Sequence, residues 1–310
     1  MGKVQSKTGR QKRSKSSAST TSIDQEIIHK KRDVEIYNYI DKRKYCASYV
    51  LPLDDDEIDR LTLQHYIFQN IWKSNFSSPV DFLLEIGSKV LDVGCGPGVW
   101  SLEMANKYPK SSFTGIDIVA TFPQTIKPEN TNFIVGNLKR LPFEDNSFDF
   151  VYMRLIMFAL TISDWPEAIK ELIRVCKPNG WIEIMERDIL WHNESDLVRK
   201  WRTSIVDKIR QEKGIELIIS PHIPGFLHSN NQLTNIEYDK RKAKIGWGEK
   251  MYEAYGQLIM WGAKNLSNAV SDIQFNEGQY NKLVEVAIKE IARNKGYDKS
   301  YRFWAQKKSL

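Results

Sequence analysis

The segment Val90-Leu91-Asp92-Val93-Gly94-Cys95-Gly96-Pro97-Gly98-Val99-Trp100 constrains the fold of this chain more than any other. An apolar strand that opens at Lys89 runs into three alternating glycines, and a helix-compatible stretch follows. Glycines at that place let the backbone turn tightly and let a ligand approach where a Cβ would clash. A strand, a glycine turn and a helix in succession are the start of an α/β unit.

The rest of the chain agrees with that start. Apolar strands are expected near 89–93, 112–117, 132–136, 148–153 and 181–186, alternating with helical stretches, the pattern of a parallel sheet covered on both faces. Asp164 followed three residues on by Glu167 reads as a capping box. Ala168, Ile169, Leu172, Ile173 and Cys176 form the apolar stripe of that helix, which is expected to stop at Pro178. Asn179-Gly180 then supplies a turn, both residues tolerating positive φ. Upstream, the acids from Asp54 onward open a run in which Ile58, Leu61, His65, Phe68 and Trp72 recur at helical steps, and a short helix is expected over 79–86. Downstream come a helix over 197–213, a loop over 220–231, a strand near 233–238, helices over 248–264 and 278–294, and a strand near 301–305.

The glycine spacing narrows the ligand. A dinucleotide fingerprint needs G-x-G-x-x-G to seat a pyrophosphate, whereas this loop is G-x-G-x-G behind Asp92, an acid that repels phosphate and suits a cation. A nicotinamide-dependent oxidoreductase is disfavoured on that ground. Asp117 closes the next strand, twenty-three positions beyond Gly94, where a carboxylate can accept two ribose hydroxyls. Asn137 and Leu138 follow the third strand at the same sheet edge, and Asn137 is read as a ligand contact over a simple turn former.

Charge adds little to this. The formal net charge is +6, and Lys3, Lys7, Arg10, Lys12, Arg13 and Lys15 account for all of it within residues 1–22, leaving a neutral body. That distribution argues against nucleic acid as a partner. The same 22 residues hold few large apolar side chains and are expected to be a disordered basic tail, followed by a helical segment over 23–86 that covers the ligand site and a catalytic domain over 87–310 with a helical insertion over about 246–295. No secretory signal and no membrane span are read, so a cytoplasmic protein is expected. Gly2 fits a myristoylation pattern beside basic residues, which keeps weak membrane association open, and the Gln11-Lys12-Arg13-Ser14-Lys15 cluster keeps nuclear import open. Three dispersed cysteines and five scattered histidines give no disulfide framework, and no metal is expected.

The glycine loop, Asp117, the run Leu141-Pro142-Phe143-Glu144-Asp145-Asn146-Ser147-Phe148-Asp149 and the run Arg174-Val175-Cys176-Lys177-Pro178-Asn179-Gly180-Trp181 resemble class I S-adenosylmethionine-dependent methyltransferases. The resemblance spans about 85–190; Leu63-Gln64-His65-Tyr66 and Ile223-Pro224-Gly225-Phe226-Leu227 resemble fungal members linked to regulation of secondary metabolism. It implies a Rossmann-like, seven-stranded, mostly parallel α/β sheet with helices on both faces and an antiparallel last strand. It also implies N-terminal helices and a helical insertion before that strand, together forming a lid. The cofactor implied is S-adenosylmethionine. Asp92, Gly94, Cys95, Gly96 and Gly98 would cradle its methionine side, Asp117 would hold the ribose, and Ile118, Asn137 and Leu138 would meet the adenine, with Arg154 and Tyr66 also at the site. Asn137 and Asn179 depart from the family's more usual Asp and Gly.

A sulfonium methyl is already activated, so the protein's main tasks are in-line alignment and exclusion of water, and a base is optional. Arg154, Glu186, Asp188, His192 and Tyr66 are the candidates near the ligand edge, and none is singled out as catalytic. His65 reads as a helix-packing residue, His192 and His228 as loop histidines, and Trp247, Tyr252, Tyr255 and Trp261 as core. An Asn/Asp-Pro-Pro-aromatic motif is missing after strand four, where Tyr152-Met153-Arg154-Leu155 stands, which argues against exocyclic nucleobase amines as acceptors. The expectation is methyl transfer to an unidentified acceptor, a small molecule by preference. The alternative is a regulatory scaffold that binds the cofactor and a protein partner without turnover.

Overall fold

A computed structural model describes residues 37–40, 43–46, 49–268 and 277–309. The expected tail over 1–22, its acylation pattern and its basic cluster lie outside the described residues. The described residues begin with an antiparallel pair of strands, β1 (Tyr37–Ile40) and β2 (Arg43–Cys46), where only helix was expected. Then come α1 (Asp55–Trp72), α2 (Asp81–Ile86), β3 (Lys89–Val93), α3 (Val99–Lys107), β4 (Ser112–Asp117), β5 (Thr131–Val135) and β6 (Phe148–Arg154). α4 (Trp165–Val175), β7 (Cys176–Arg187), α5 (Asp196–Lys213), α6 (Ile223–His228), β8 (Leu233–Lys244), α7 (Lys250–Asn265), α8 (Glu277–Arg293) and β9 (Tyr297–Lys307) complete it.

Seven strands form one sheet in the order β5-β4-β3-β6-β7-β9-β8. β3 pairs in parallel with β4 and β6, β4 with β5, and β6 with β7, while β9 runs antiparallel to both β7 and β8. This is the Rossmann-like sheet with an antiparallel last strand, and α7 and α8 form the helical insertion before it.

Both faces are buried because each central strand alternates two apolar sets. Leu91, Val93, Val151 and Met153 join Ile169 and Leu172 of α4 in the larger core, whereas Val90, Phe113, Phe150 and Tyr152 pack with Trp100 and Met104 of α3 on the other side. Trp100 stacks on Tyr152 at 4.2 Å, fixing the helix that leaves the glycine loop. Phe68 of α1 meets Tyr255 of α7 edge-on at 5.8 Å, so the N-terminal helix and the insertion share one core.

Three local expectations are corrected. Asp164 does not cap α4: its own backbone is already helical (φ −78°, ψ −25°), and its carboxylate instead accepts from Thr161 N and Oγ1 and from Lys139 Nζ. The helix stops at Val175, before Pro178, because Cys176 is already extended (ψ 136°) and begins β7. Within 220–231, read as loop, residues 223–228 form α6, its Pro224 sitting in the first turn where a missing N–H costs nothing.

Candidate functional site

The carboxyl ends of β3, β4, β5 and β6 open into a cavity of about 540 Å³. β4 and β5 lie to one side of β3 and β6 to the other, so the cavity sits where the strand order reverses, the usual crevice for ligands in an open α/β sheet. Its floor is Gly94, Cys95, Gly96 and Pro97; Asp117 and Ile118 form one wall with Asn137 and Leu138, and Arg154 and Ile156 the other. Tyr45 of β2, Tyr49, and Glu57, Leu61 and His65 of α1 also line it.

The loop owes its shape to the glycines and to Asp117. Gly96 has φ +53°, and a Cβ built there finds only Leu61 Cδ1, at 3.7 Å, so a side chain at this position would project into the cavity. At Gly98 (φ +74°) a Cβ would come within 2.7 Å of the Phe133 ring, which fixes how closely the loop rests on β5. Asp117 Oδ2 accepts from Gly96 N at 2.8 Å and Oδ1 from Val119 N at 3.0 Å. Gly94 N and Cys95 N both donate to Ile116 O. One carboxylate thus pins the loop after β3 to the loop after β4.

Asp92 lies under the loop and not on the cavity surface. It is buried, its Oδ2 accepts from Ser101 Oγ at 2.7 Å, and its Oδ1 has no partner. Burial pushes its carboxyl up to about 6, against the pull of the Arg154 charge. The Cys95 thiol is likewise raised by burial and by Asp92 and Asp117, so it is no nucleophile and contributes backbone and shape. Asn137 Oδ1 accepts from Lys139 N at 2.9 Å, forming the local turn, while the residue remains exposed on the cavity wall. Leu138 beside it is half-buried.

Arg154 ends β6, half-buried on the cavity wall, and its guanidinium makes no hydrogen bond or ion pair with any described residue. Leu155 next to it takes φ +55°, an uncommon conformation for a residue with a side chain, and donates its N–H to Met185 O. Glu186 Oε1 holds the same turn by accepting from Ile156 N at 2.6 Å.

Of the sequence-derived candidates for a base, only Arg154 reaches the cavity, and a guanidinium stays protonated. Tyr66 is 54% exposed and faces away from the lining. Glu186 sits behind the Ile156 turn, raised by burial to about 8. Asp188 is engaged by Ser220, and His192 stacks on Tyr297, the first residue of β9, at 4.6 Å. One residue that does line the cavity, beside Glu57 and Tyr49, is His65, read from its helical spacing as a packing residue. Only its neighbour across space, Glu103 of α3, distinguishes it, and the thirty-eight positions between them hide that pairing from the sequence. Tyr255, one of the aromatics read as core, is fully buried and donates to Asp298. Among the described residues no group of three or more His, Cys, Asp or Glu is placed to hold a metal ion, and no helix is long and apolar enough to cross a membrane.

Residues 90–180 match the methyltransferase domain family. A methyltransferase of Aspergillus terreus, pytC, is 28% identical over 166 residues, covering 52% of this chain and 50% of that protein. The secondary metabolism regulator LAE1 of Cochliobolus heterostrophus is 32% identical over 145 residues, 46% of each chain. The chain therefore spans about half the length of these curated relatives. Among solved structures, the YcgJ protein of Bacillus subtilis superposes with a TM-score of 0.48 at 17% identity, covering 80% of this chain and 100% of its own. Residues 90–180, which carry the glycine loop and Asp117, are thus similar to the methyltransferase domain, and the match to that family is confined to that segment of the chain.

Proposed function

We propose that this chain is a methyltransferase that binds S-adenosylmethionine in the cavity above β3–β6 and transfers its methyl group to a small molecule. The observation that carries the reading is the Asp117 carboxylate, bonded to Gly96 N and standing on the wall of a cavity that the glycine loop leaves open. The lining fits the cofactor by its chemistry. Asp117 supplies acceptors for ribose hydroxyls, Ile118 and Leu138 an apolar slot for adenine, and Asn137 a polar edge. Arg154, without a hydrogen-bond or ion-pair partner among the described residues, is a cation for the methionine carboxylate, and Asp92 Oδ1 beneath the loop, likewise unpartnered among them, favours positive charge above it. Tyr66, exposed on the outer side of α1, has no part in this assignment.

When bound, the cofactor supplies an electrophilic methyl on sulfur. The chain's residues do the rest: the loop and Asp117 hold the ligand against the sheet edge, and Tyr45, Leu61 and His65 roof the cavity and exclude water. A roofed cavity of about 540 Å³ is within the usual range for small molecules, which supports a small acceptor.

Kinship with a named regulator supports a second reading, a scaffold that binds the cofactor without turnover. Calorimetric titration of S-adenosylmethionine and S-adenosylhomocysteine into wild type, Asp117→Ala and Gly96→Arg tests the shared premise. Saturable binding to wild type, lost in both variants, is expected; no binding to folded wild type would reject both readings. Release of S-adenosylhomocysteine on adding acceptors then separates enzyme from scaffold.

A further inference from the structure

His65 and Glu103 form a pair that the cofactor site does not require. His65 Nε2 lies 2.6 Å from Glu103 Oε2, and the histidine side chain is wholly buried. The other carboxylate oxygen, Oε1, accepts from Asn75 Nδ2 at 2.8 Å and from Gln69 Nε2. A carboxylate ringed by donors is the acceptor in each contact, so the ring nitrogen facing it carries the proton. In a neutral imidazole the opposite nitrogen then holds a lone pair. That nitrogen, Nδ1, is buried without a hydrogen-bond partner, in a residue that lines the cavity. A buried, unpartnered acceptor costs free energy unless something from the cavity comes to it. An imidazole whose tautomer is fixed by a carboxylate is also the arrangement that presents a basic nitrogen to a reacting group.

Resting on the cofactor reading above, we infer that His65 is the general base of this enzyme, that Glu103 is its positioning residue, and that the methyl acceptor carries an acidic hydroxyl, phenolic or enolic. As the oxygen–methyl bond forms, the hydroxyl proton passes to His65 Nδ1. The methyl–sulfur bond breaks with its electron pair staying on sulfur, and the products are the methyl ether, S-adenosylhomocysteine and an imidazolium. The charges that act on His65 come from two elements, Arg154 at the end of β6 and Glu103 on α3. Burial, and then Arg154, outweigh Glu103 and hold the ring down at about 4. A base that weak matches an acidic hydroxyl better than an alcohol.

The test has a structural arm and a kinetic arm, both on the full chain saturated with S-adenosylhomocysteine or S-adenosylmethionine. In ¹⁵N-histidine NMR, His65 should be protonated on Nε2 alone from pH 8 to about 5, and Glu103→Gln should mix the tautomers. In the kinetic arm, S-adenosylhomocysteine release is followed with 4-nitrophenol and with the thioether thioanisole, which has no proton to lose. Turnover of the phenol should fall about 10²- to 10⁴-fold in His65→Gln. In Glu103→Gln it should fall about 10- to 100-fold, in kcat and not KM, with partial recovery in Glu103→Asp. Failure to bind S-adenosylmethionine would reject the cofactor reading itself. With binding intact, a proton on Nδ1, methylation of the thioether but not the phenol, no phenol turnover by wild type, or phenol turnover indifferent to His65→Gln would each overturn this inference.

Discussion

Two buried residues near the site pull stability in opposite directions with pH. His65 is held down at about 4 by burial and Arg154, below its ordinary 6.5, so its contribution is complete above pH 6.5 and is lost as pH falls through about 4. Glu186 is raised by burial to about 8 from 4.5, so its contribution is complete below pH 4.5 and is lost as pH rises through about 8. Between pH 6.5 and 8 the Glu186 effect acts without His65. Lowering the pH across that window should stabilise the wild type by ~2 kcal/mol, and Glu186→Gln should remove most of the slope, the remainder coming from buried carboxyls such as Asp92 and Asp298, each raised by burial to about 6. Thermal melts in matched buffers read this directly; equal slopes in the two proteins would refute the assignment. At Gly98, alanine adds a Cβ within 2.7 Å of Phe133 in a left-handed backbone, and a loss of about 2–4 kcal/mol in urea unfolding is expected. That Asp117, Ile118, Asn137 and Leu138 line the cavity is legible from their place along the chain, because each ends a strand or follows one by a short step. The expectation at Tyr66 misses by one position on α1: its neighbour His65 takes the cavity side, a distinction of about 100° that helical periodicity alone does not resolve against an unknown roof.

Helix α1 is the element on which the roof depends. Asp54 caps it by accepting from Glu57 N at 3.0 Å and also pairs with Arg43 of β2 at 2.6 Å. Arg43 reaches on to Asn265 at the end of α7, and Asn265 donates to Glu57, which holds Arg60 at 2.6 Å in a buried pair. Strand β2, helix and insertion are therefore joined through one polar cluster. Asp54→Ala should cost about 1–2 kcal/mol in chemical unfolding through the lost cap. It should also weaken S-adenosylhomocysteine binding, because Glu57, Leu61 and His65 of the same helix line the cavity. Unchanged affinity would separate the roof from the cap. The acids crowding the start of this helix are visible in the sequence, whereas Asp164 carries the same signature and serves Thr161 and Lys139 instead. A capping motif states which side chains can cap; the backbone angle of the first residue decides whether one does. The strands β1 and β2 are hidden in the sequence because each is only four residues long, too short for an alternation to show.

At the scale of the molecule, the parallel half of the sheet is readable because both faces of β3 and β6 are buried and their apolar runs are nearly unbroken. The pairing of β8 with β9 across fifty-two intervening residues follows from family resemblance and not from local pattern, since β8 is mostly exposed. The sheet order puts β3 beside β6, and that single reversal gathers Gly96, Asp117, Arg154 and His65 around one space. A ligand held there stabilises the whole fold by mass action. S-adenosylhomocysteine at about one hundred times its Kd should add ~2.7 kcal/mol, seen as a higher melting temperature that Asp117→Ala does not show. A crystal structure of the chain with S-adenosylhomocysteine tests the site most directly. Ribose hydroxyls should lie on the Asp117 carboxylate, adenine between Ile118 and Leu138, the methionine carboxylate on Arg154, and sulfur facing the His65 side of the cavity. Density for the ligand elsewhere, or an empty cavity in crystals grown at saturating ligand, would contradict this placement.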